Sequence, residues 1–207
     1  MEVLKRFYIV AIFVSLLASS SFAQSQKELE KAFLESYTLE TNGEYSKAVI
    51  TLTKVYNKDS YELNLRLAWL NYLSGQYTES MTYYRRSISL KPLSIEALLG
   101  LTYPASAMGN WEMVIKSYLQ ILKIDKNNYT ANLKLAQIYL SREEYAKAEP
   151  YFTLLLNQYP FTYDVVLNTA WNNYYLGKFR AAKILFQKVL LLSPNDISAT
   201  AGLKKIQ

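Results

Sequence analysis

A short pattern recurs five times along this chain of 207 residues: a turn residue followed, two positions later, by an aromatic side chain. The aromatic residues of the five copies are Tyr45, Tyr77, Trp111, Tyr145 and Phe179. The last four copies are spaced by 34 residues, and the first two are 32 residues apart. A fixed period of about 20 to 50 residues indicates stacked structural units, because one such unit cannot bury its apolar face alone.

Each unit reads as two helices joined by a tight turn. Around the second turn, apolar residues fall at helical spacing on both sides: Leu63, Leu67 and Leu70 before it, and Met81, Tyr84 and Ile88 after it. Four of the five turns carry glycine, which adopts a positive φ without strain and so ends a helix. Pro92, Pro160 and Pro194 stand where three second helices are expected to end.

With repeats starting at residues 29, 61, 95, 129 and 163, the chain resembles the tetratricopeptide-repeat (TPR) family. The family's small eighth position holds Ser36, Ala68, Thr102, Ala136 and Ala170. Its twentieth position holds Ala48, Ser80, Val114, Ala148 and Ala182. Its twenty-fourth position, usually aromatic, holds Leu52, Tyr84, Tyr118, Phe152 and Phe186. Small residues at the eighth position let the two helices of a unit approach closely.

The resemblance implies an all-α fold, a right-handed superhelical solenoid of about five helix-turn-helix repeats with a C-terminal capping helix. The predicted domain covers residues 24–207. Its repeats are expected at residues 29–60, 61–94, 95–128, 129–162 and 163–196, followed by a capping helix at residues 197–207.

Residues 1–23 are interpreted as a secretory signal peptide. Lys5 and Arg6 precede an apolar stretch, and Ser21-Phe22-Ala23 forms a small-x-small cleavage site before Gln24. The alternative is an uncleaved anchor helix, although about a dozen apolar residues are short for a bilayer span of about 20. The segment resembles signals of Gram-negative bacteria. We therefore expect a periplasmic or secreted protein.

The chain has no Cys and no His, which excludes disulfides, thiolate or imidazole metal sites and His-dependent catalytic pairs. We expect no enzyme activity, no cofactor and no metal. The formal net charge is +6, yet no long basic run or nucleic-acid motif appears. The basic charge is therefore expected to meet envelope lipids or acidic proteins rather than nucleic acid.

In TPR proteins the first helix of each repeat lines a concave groove, and the resemblance carries the groove positions onto this chain. The partner-binding candidates are Phe33, Tyr37, Trp69, Tyr72, Tyr103, Trp171 and Tyr174, with Glu62 and Glu96 along one edge. Aromatic side chains bury large areas at low entropic cost. The alternative is that these rings pack against neighbouring helices or the C-terminal cap. The carboxylates have a second interpretation too, as favourable charges at helix N-termini.

Other residues of the repeat receive different interpretations. The aromatic residues after the turns are expected to be structural, with Trp111 in the core. Arg66 and Lys134, at the sixth repeat position, are candidates for contacting a ligand carboxylate. Phe33 and Tyr37 stand where chaperone-adaptor TPR domains carry Lys and Asn, which argues against binding of chaperone tails.

Together these features predict a non-catalytic protein–protein interaction module or assembly subunit in the bacterial cell envelope, with a partner polypeptide held in the groove. The alternative is capture of a small ligand or glycan on the groove aromatics. A glycan site normally adds convergent polar groups, and only Asn64, Gln137 and Asn168 are expected near the aromatic residues.

Overall fold

The computed structural model describes residues 26–206, and within that range the chain forms only helices and the turns between them. The chain is helical from the first described residue through residue 41, and we label this stretch α1. The proposed signal peptide lies outside the described residues. No described helix is both long enough and apolar enough to cross a bilayer.

The chain divides into two compact units, one ending at Gly109 and the other starting at Asn110. After α1, the first unit contains α2 (Tyr45–Thr53), α3 (Tyr61–Leu73), α4 (Tyr77–Leu90) and α5 (Ile95–Ala107). The second unit contains α6 (Trp111–Ile124), α7 (Tyr129–Ser141), α8 (Tyr145–Gln158), α9 (Tyr163–Tyr175), α10 (Phe179–Leu192) and α11 (Ile197–Lys205). Within each unit, helices that follow one another along the chain pack as antiparallel neighbours.

The turns between paired helices use the left-handed backbone conformation. Gly43, Gly75, Gly109 and Gly177 have φ between 70° and 80°, which confirms that these glycines end the first helices. In the fourth repeat Glu143 takes the same place with φ of 62°. A residue with a Cβ pays about 1–2 kcal/mol for this conformation, so the fourth turn is the strained one.

The interior is built from the positions that repeat along the sequence. The eighth, twentieth and twenty-fourth residues of all five repeats are buried. In the first unit, Leu52, Leu63 and Leu67 join α2 to α3. In the second unit, Phe152 packs between α7, α8 and α9, and Phe186 packs between α9, α10 and α11. Small residues at the eighth and twentieth positions leave room for these larger side chains, as the sequence predicts.

Two glycines inside helices admit an aromatic ring from the preceding repeat. A Cβ on Gly100 in α5 would overlap the ring of Tyr84, and a Cβ on Gly202 in α11 would overlap the ring of Phe186. Both rings occupy the twenty-fourth repeat position. Glycine in a helix costs about 0.5–1 kcal/mol relative to alanine, and the close packing of these rings offsets that cost.

Side-chain caps set where several helices begin. The Ser60 hydroxyl accepts from the Leu63 amide at 3.2 Å, and the Ser94 hydroxyl accepts from the Ala97 amide at 3.1 Å. Asp196 accepts from the Ala199 amide at 2.7 Å at the start of α11. Each cap satisfies an amide that the first turn of a helix leaves unpaired.

The expectation that Trp111 belongs to the core is wrong. Trp111 is the first residue of α6, and 46% of its surface is exposed. Phe179, at the same place in α10, is also exposed, although its ring lies 5.6 Å from that of Tyr174. A residue that directly follows the turn lies at the end of the helix pair, where few neighbours surround it. The aromatic residues after the turns therefore cover the helix ends rather than fill the core.

Candidate protein-binding groove

The first unit has a concave cavity of about 770 Å³ between its first helices α1, α3 and α5. These helices carry one set of repeat positions on their inner faces, so residues far apart in sequence come together. The lining residues are Phe33, Tyr37, Tyr61, Glu62, Leu65, Arg66, Trp69, Tyr84, Ile95, Glu96, Leu99, Gly100 and Tyr103. Six of the nine predicted site residues line this cavity: Phe33, Tyr37, Glu62, Trp69, Glu96 and Tyr103.

Three aromatic rings form a continuous surface in the first unit. The Trp69 ring centroid lies 5.5 Å from that of Tyr72 and 5.9 Å from that of Tyr103. The rings of Tyr72 and Tyr103 are 5.5 Å apart. Trp69 and Tyr72 are half-buried, whereas Tyr103 keeps 50% of its surface exposed. The cluster thus consists of two half-buried rings, Trp69 and Tyr72, and one accessible ring, Tyr103.

Arg66 organises the floor of the cavity. It is only 8% exposed, and its guanidinium is ion-paired with Glu40. Its Nε donates to the Ser36 hydroxyl at 3.1 Å, and its guanidinium carbon lies 3.8 Å from the centroid of the Tyr37 ring. This cation–π contact holds Tyr37, whose surface is 53% exposed, over the buried charge.

Glu40 links the buried arginine to the aromatic cluster. One carboxylate oxygen pairs with Arg66, and the other accepts from the Trp69 indole N–H at 2.7 Å. Sequence reasoning placed Arg66 opposite a ligand carboxylate and did not name Glu40 as its partner. Glu40 balances the charge, and Arg66 holds Tyr37 in place by stacking on its ring, while contact between Arg66 and a ligand carboxylate stays a prediction. The pair could have been recognised from its repeat positions, since both residues lie on the inner faces of first helices.

Carboxylates lie at one edge of the cavity, in the first turns of α3 and α5. Glu62 is ion-paired with Lys91 at 3.1 Å, and Glu96 accepts from the Tyr61 hydroxyl at 3.3 Å. The hydrogen bond from its own backbone amide, followed by that from Lys91, holds the pKa of Glu62 below its usual value. Burial raises the pKa of Tyr61, so its hydroxyl stays protonated. At this edge Lys91 therefore balances the charge of Glu62, and the carboxylate of Glu96 is held by a tyrosine hydroxyl.

The predicted site residues of the second unit are more tightly packed. Trp171 is half-buried, its ring meets Phe186 edge-on at 4.9 Å, and its indole N–H donates to the Ser198 hydroxyl of α11 at 2.8 Å. Tyr174 lies 5.7 Å from Trp171 and is also half-buried. For Trp171 the structure therefore agrees with the alternative interpretation from the sequence, in which the ring packs against the C-terminal helix.

Asn64 does not lie beside the aromatic groove, which corrects its role in the glycan alternative. Its side chain is fully buried. Its amide donates to the Lys58 and Ser60 carbonyls at 2.9 and 2.6 Å, and its oxygen accepts from the Tyr56 hydroxyl at 2.9 Å. Asn132, at the same repeat position, makes the matching pair of bonds at 3.0 and 2.9 Å. These asparagines fasten the loop that precedes a first helix.

The chemistry of the described residues is that of recognition. Within residues 26–206 no group of three or more His, Cys, Asp or Glu side chains is placed to hold a metal ion. The cavity in the first unit instead offers aromatic faces, tyrosine hydroxyls and carboxylates. Helices paired in this repeating way define the class of helical-repeat scaffolds.

Comparison with known proteins identifies the family. The tetratricopeptide-repeat profile matches residues 61–92 and 130–162, which lie in the two different units. Both units therefore contain a tetratricopeptide repeat. Members of this family are generally non-catalytic scaffolds for protein–protein interaction.

Solved structures of TPR proteins share the fold. A tetratricopeptide repeat protein from Parabacteroides merdae aligns with a TM-score of 0.74 at 18% identity, covering 87% of this chain and 72% of that one. YrrB, described as a TPR protein with an unusual peptide-binding site, aligns with a TM-score of 0.70 at 12% identity, covering 89% and 97%. The MamA protein aligns with a TM-score of 0.69 at 17% identity, covering 80% and 91%.

A curated relative matches over part of its length. The tetratricopeptide repeat protein 21 homolog of Caenorhabditis elegans is 26% identical over 110 residues. The match covers 53% of this chain and 8% of that protein. The likeness is therefore confined to a short array of repeats within a much longer protein.

Proposed function

We propose that the chain is a non-catalytic interaction module that holds an extended segment of a partner polypeptide in the groove of its first unit. The observation that carries this proposal is the cavity between α1, α3 and α5, in which Tyr37 and Tyr103 each keep about half their surface exposed. Exposed aromatic residues on a supported surface are the residues that contribute most binding energy at protein interfaces.

The surface is held in place before a partner arrives. Arg66 stacks on Tyr37 and pairs with Glu40, and Glu40 also accepts from the Trp69 indole. Side chains that are already ordered lose little entropy on binding, which favours affinity. These ordered side chains can contact a ligand that lies along the groove at several points.

The groove has room for a short segment. Packed helices lie about 8–10 Å apart, so the distance from α1 across α3 to α5 is roughly 18 Å. An extended chain covers about 3.3 Å per residue, and about five or six residues would cross the groove. Glu62 is already paired with Lys91, so the carboxylate of Glu96 at the edge favours a Lys or Arg in that segment, next to residues that pack on the rings.

Site-specific photo-crosslinking tests this proposal. Tyr103 is replaced by p-benzoylphenylalanine in the chain expressed in its source cells, and crosslinked partners are identified by mass spectrometry. Trp111, of similar exposure but outside the groove, provides the matched control position. We expect a discrete adduct from position 103 and none from position 111. Equal adducts at both positions, or none at 103, would contradict groove binding.

We also propose that the protein works in the bacterial cell envelope, as the signal-peptide interpretation of residues 1–23 suggests. Cell fractionation should then recover it with periplasmic or envelope proteins. N-terminal sequencing of the recovered protein should begin near Gln24. A protein recovered from the cytosol with Met1 at its start would contradict export.

A further inference from the structure

The outer face of α10 carries large aliphatic side chains in solvent. Arg180, Ile184, Gln187 and Leu191 are spaced by four, three and four residues, so they form one stripe along the helix, and all four are exposed. Ile184 is 57% exposed and Leu191 is 75% exposed. The opposite side of α10 is fully used by the core, where Ala182, Leu185, Phe186 and Val189 are buried.

This stripe has large aliphatic residues at two repeat positions, whereas every other repeat has at most one there. Ile184 and Leu191 occupy the twenty-second and twenty-ninth positions of the fifth repeat. The same two positions hold Ile50 and Asn57 in the first repeat, Thr82 and Ser89 in the second, Lys116 and Lys123 in the third, and Pro150 and Asn157 in the fourth. Ile50, which is 59% exposed, is the one large aliphatic residue among these eight, and the fifth repeat alone has one at both positions. The repeat therefore does not require apolar residues here, and their presence in α10 needs another reason.

Positive charge surrounds the two aliphatic residues. Helix α10 contains Arg180, Lys183 and Lys188 and has no Asp or Glu. On the helical wheel Lys183 and Lys188 lie on opposite sides of the stripe. Lys178, just before α10, is ion-paired with Glu149, so Arg180, Lys183 and Lys188 are the cations that α10 itself presents.

A neighbouring aromatic side chain extends the same face. Phe161, in the loop before α9, is exposed, and its ring centroid lies 5.9 Å from the Lys188 ammonium. At the other end of α10, Phe179 and Arg180 border the same shallow hollow as Ile184. We call Phe161, Arg180, Lys183, Ile184, Lys188 and Leu191 the α10 outer face.

We propose that the α10 outer face docks on the surface of a bilayer that contains anionic phospholipids. Projecting aliphatic side chains enter the headgroup region, and flanking Lys and Arg side chains keep their charges among the phosphates. The core of a protein–protein interface is depleted of charged residues, whereas here a cation lies beside every apolar residue. The alternation of apolar and cationic side chains therefore fits lipid headgroups better than an acidic protein.

Because the chain has no native cysteine, single labelled cysteines can report insertion at one site. Leu191→Cys carries an environment-sensitive fluorophore, and Ser89→Cys, at the same repeat position in α4, is the matched control. The probes are vesicles of pure phosphatidylcholine and vesicles in which about a third is phosphatidylglycerol. Because the fluorophore is attached at residue 191, its signal reports membrane contact by the α10 outer face and not by the N-terminal residues.

We expect a blue shift of the fluorophore at residue 191 on anionic vesicles, a small effect on neutral vesicles, and no shift at residue 89. Ile184→Ser, and separately Lys183→Glu with Lys188→Glu, should each reduce the fraction shifted at least tenfold. Raised salt should weaken the effect of the charges. Equal shifts at residues 89 and 191, or no shift at 191 on either vesicle, would overturn the proposal. A shift produced by poly-glutamate but not by vesicles would assign the face to an acidic protein and would also overturn it.

Discussion

At the scale of single residues, the fourth turn shows what a missing glycine costs. Glu143 adopts φ of 62° where the other four turns have glycine. We expect Glu143→Gly to raise the free energy of unfolding by about 0.5–1 kcal/mol. The relief of backbone strain, about 1–2 kcal/mol, exceeds the extra entropy that glycine gives the unfolded chain. Urea unfolding followed by circular dichroism measures the change.

The reverse substitution is the control for this prediction. Gly177 has φ of 73°, and a Cβ there would meet no atom within 4 Å. Gly177→Ala should therefore destabilise the protein by about 1 kcal/mol through backbone strain alone. If Glu143→Gly lowers stability, the side chain of Glu143 has a role that outweighs its strained backbone.

Two aromatic residues test whether the loss of stability on truncation depends on burial of the side chain rather than on its size. Phe152 is almost fully buried, and Phe152→Ala should lower the free energy of unfolding by about 3–5 kcal/mol. Trp111 is the larger side chain but is half exposed, and Trp111→Ala should cost less than about 2 kcal/mol. Equal losses, measured in the same urea titration, would show that Trp111 is a core residue after all.

At the scale of elements, the packing of α11 against α10 depends on a glycine. Gly202 faces the ring of Phe186, which a Cβ would overlap. Alanine usually stabilises a helix relative to glycine by about 0.5–1 kcal/mol. Gly202→Ala should instead destabilise by about 1–3 kcal/mol, because overpacking displaces the ring or the helix. A raised thermal midpoint for this variant would mean that α11 moves aside without cost.

The start of α11 should respond to acid. The amide of Ala199, followed by the Tyr163 hydroxyl, lowers the pKa of Asp196 below its usual 3.8. Since the folded pKa is depressed, the stabilisation is complete above the unfolded pKa and is lost as pH falls through the folded pKa. Asp196→Asn keeps a capping side chain without the charge. The wild type should lose more stability than Asp196→Asn between pH 5 and about pH 2, as thermal midpoints will show.

At the scale of the whole molecule, the ninth repeat position separates binding from stability. Tyr103 and Trp171 share that position, but Tyr103 borders the cavity and Trp171 packs on Phe186 and Ser198. Tyr103→Ala should cost about 1 kcal/mol of stability and weaken partner binding by about 1–4 kcal/mol. Trp171→Ala should cost about 2 kcal/mol or more of stability. Both quantities are measured on both variants, and unchanged partner capture by Tyr103→Ala would contradict the proposed groove.

The sequence by itself determined the repeating parts of this protein. A 34-residue period, glycines in the turns and small residues at the eighth position predict paired helices, and the structure confirms each of these features. They could be predicted because they depend on local backbone geometry and on contacts that every repeat makes. The repeat position also places Trp69 and Tyr103 on inner faces that line the cavity, and their role in binding a partner stays a prediction.

Only the tertiary structure decided which repeated residues are accessible and which charges are already paired. Trp69 and Trp171 occupy the same position, yet one borders an open cavity and the other is covered by α11. Glu40 neutralises Arg66 across 26 residues of sequence, and Trp111 is exposed despite its place in the repeat. The physical reason is that burial depends on the neighbouring helix in space, which differs from one repeat to the next even when the repeat position is the same.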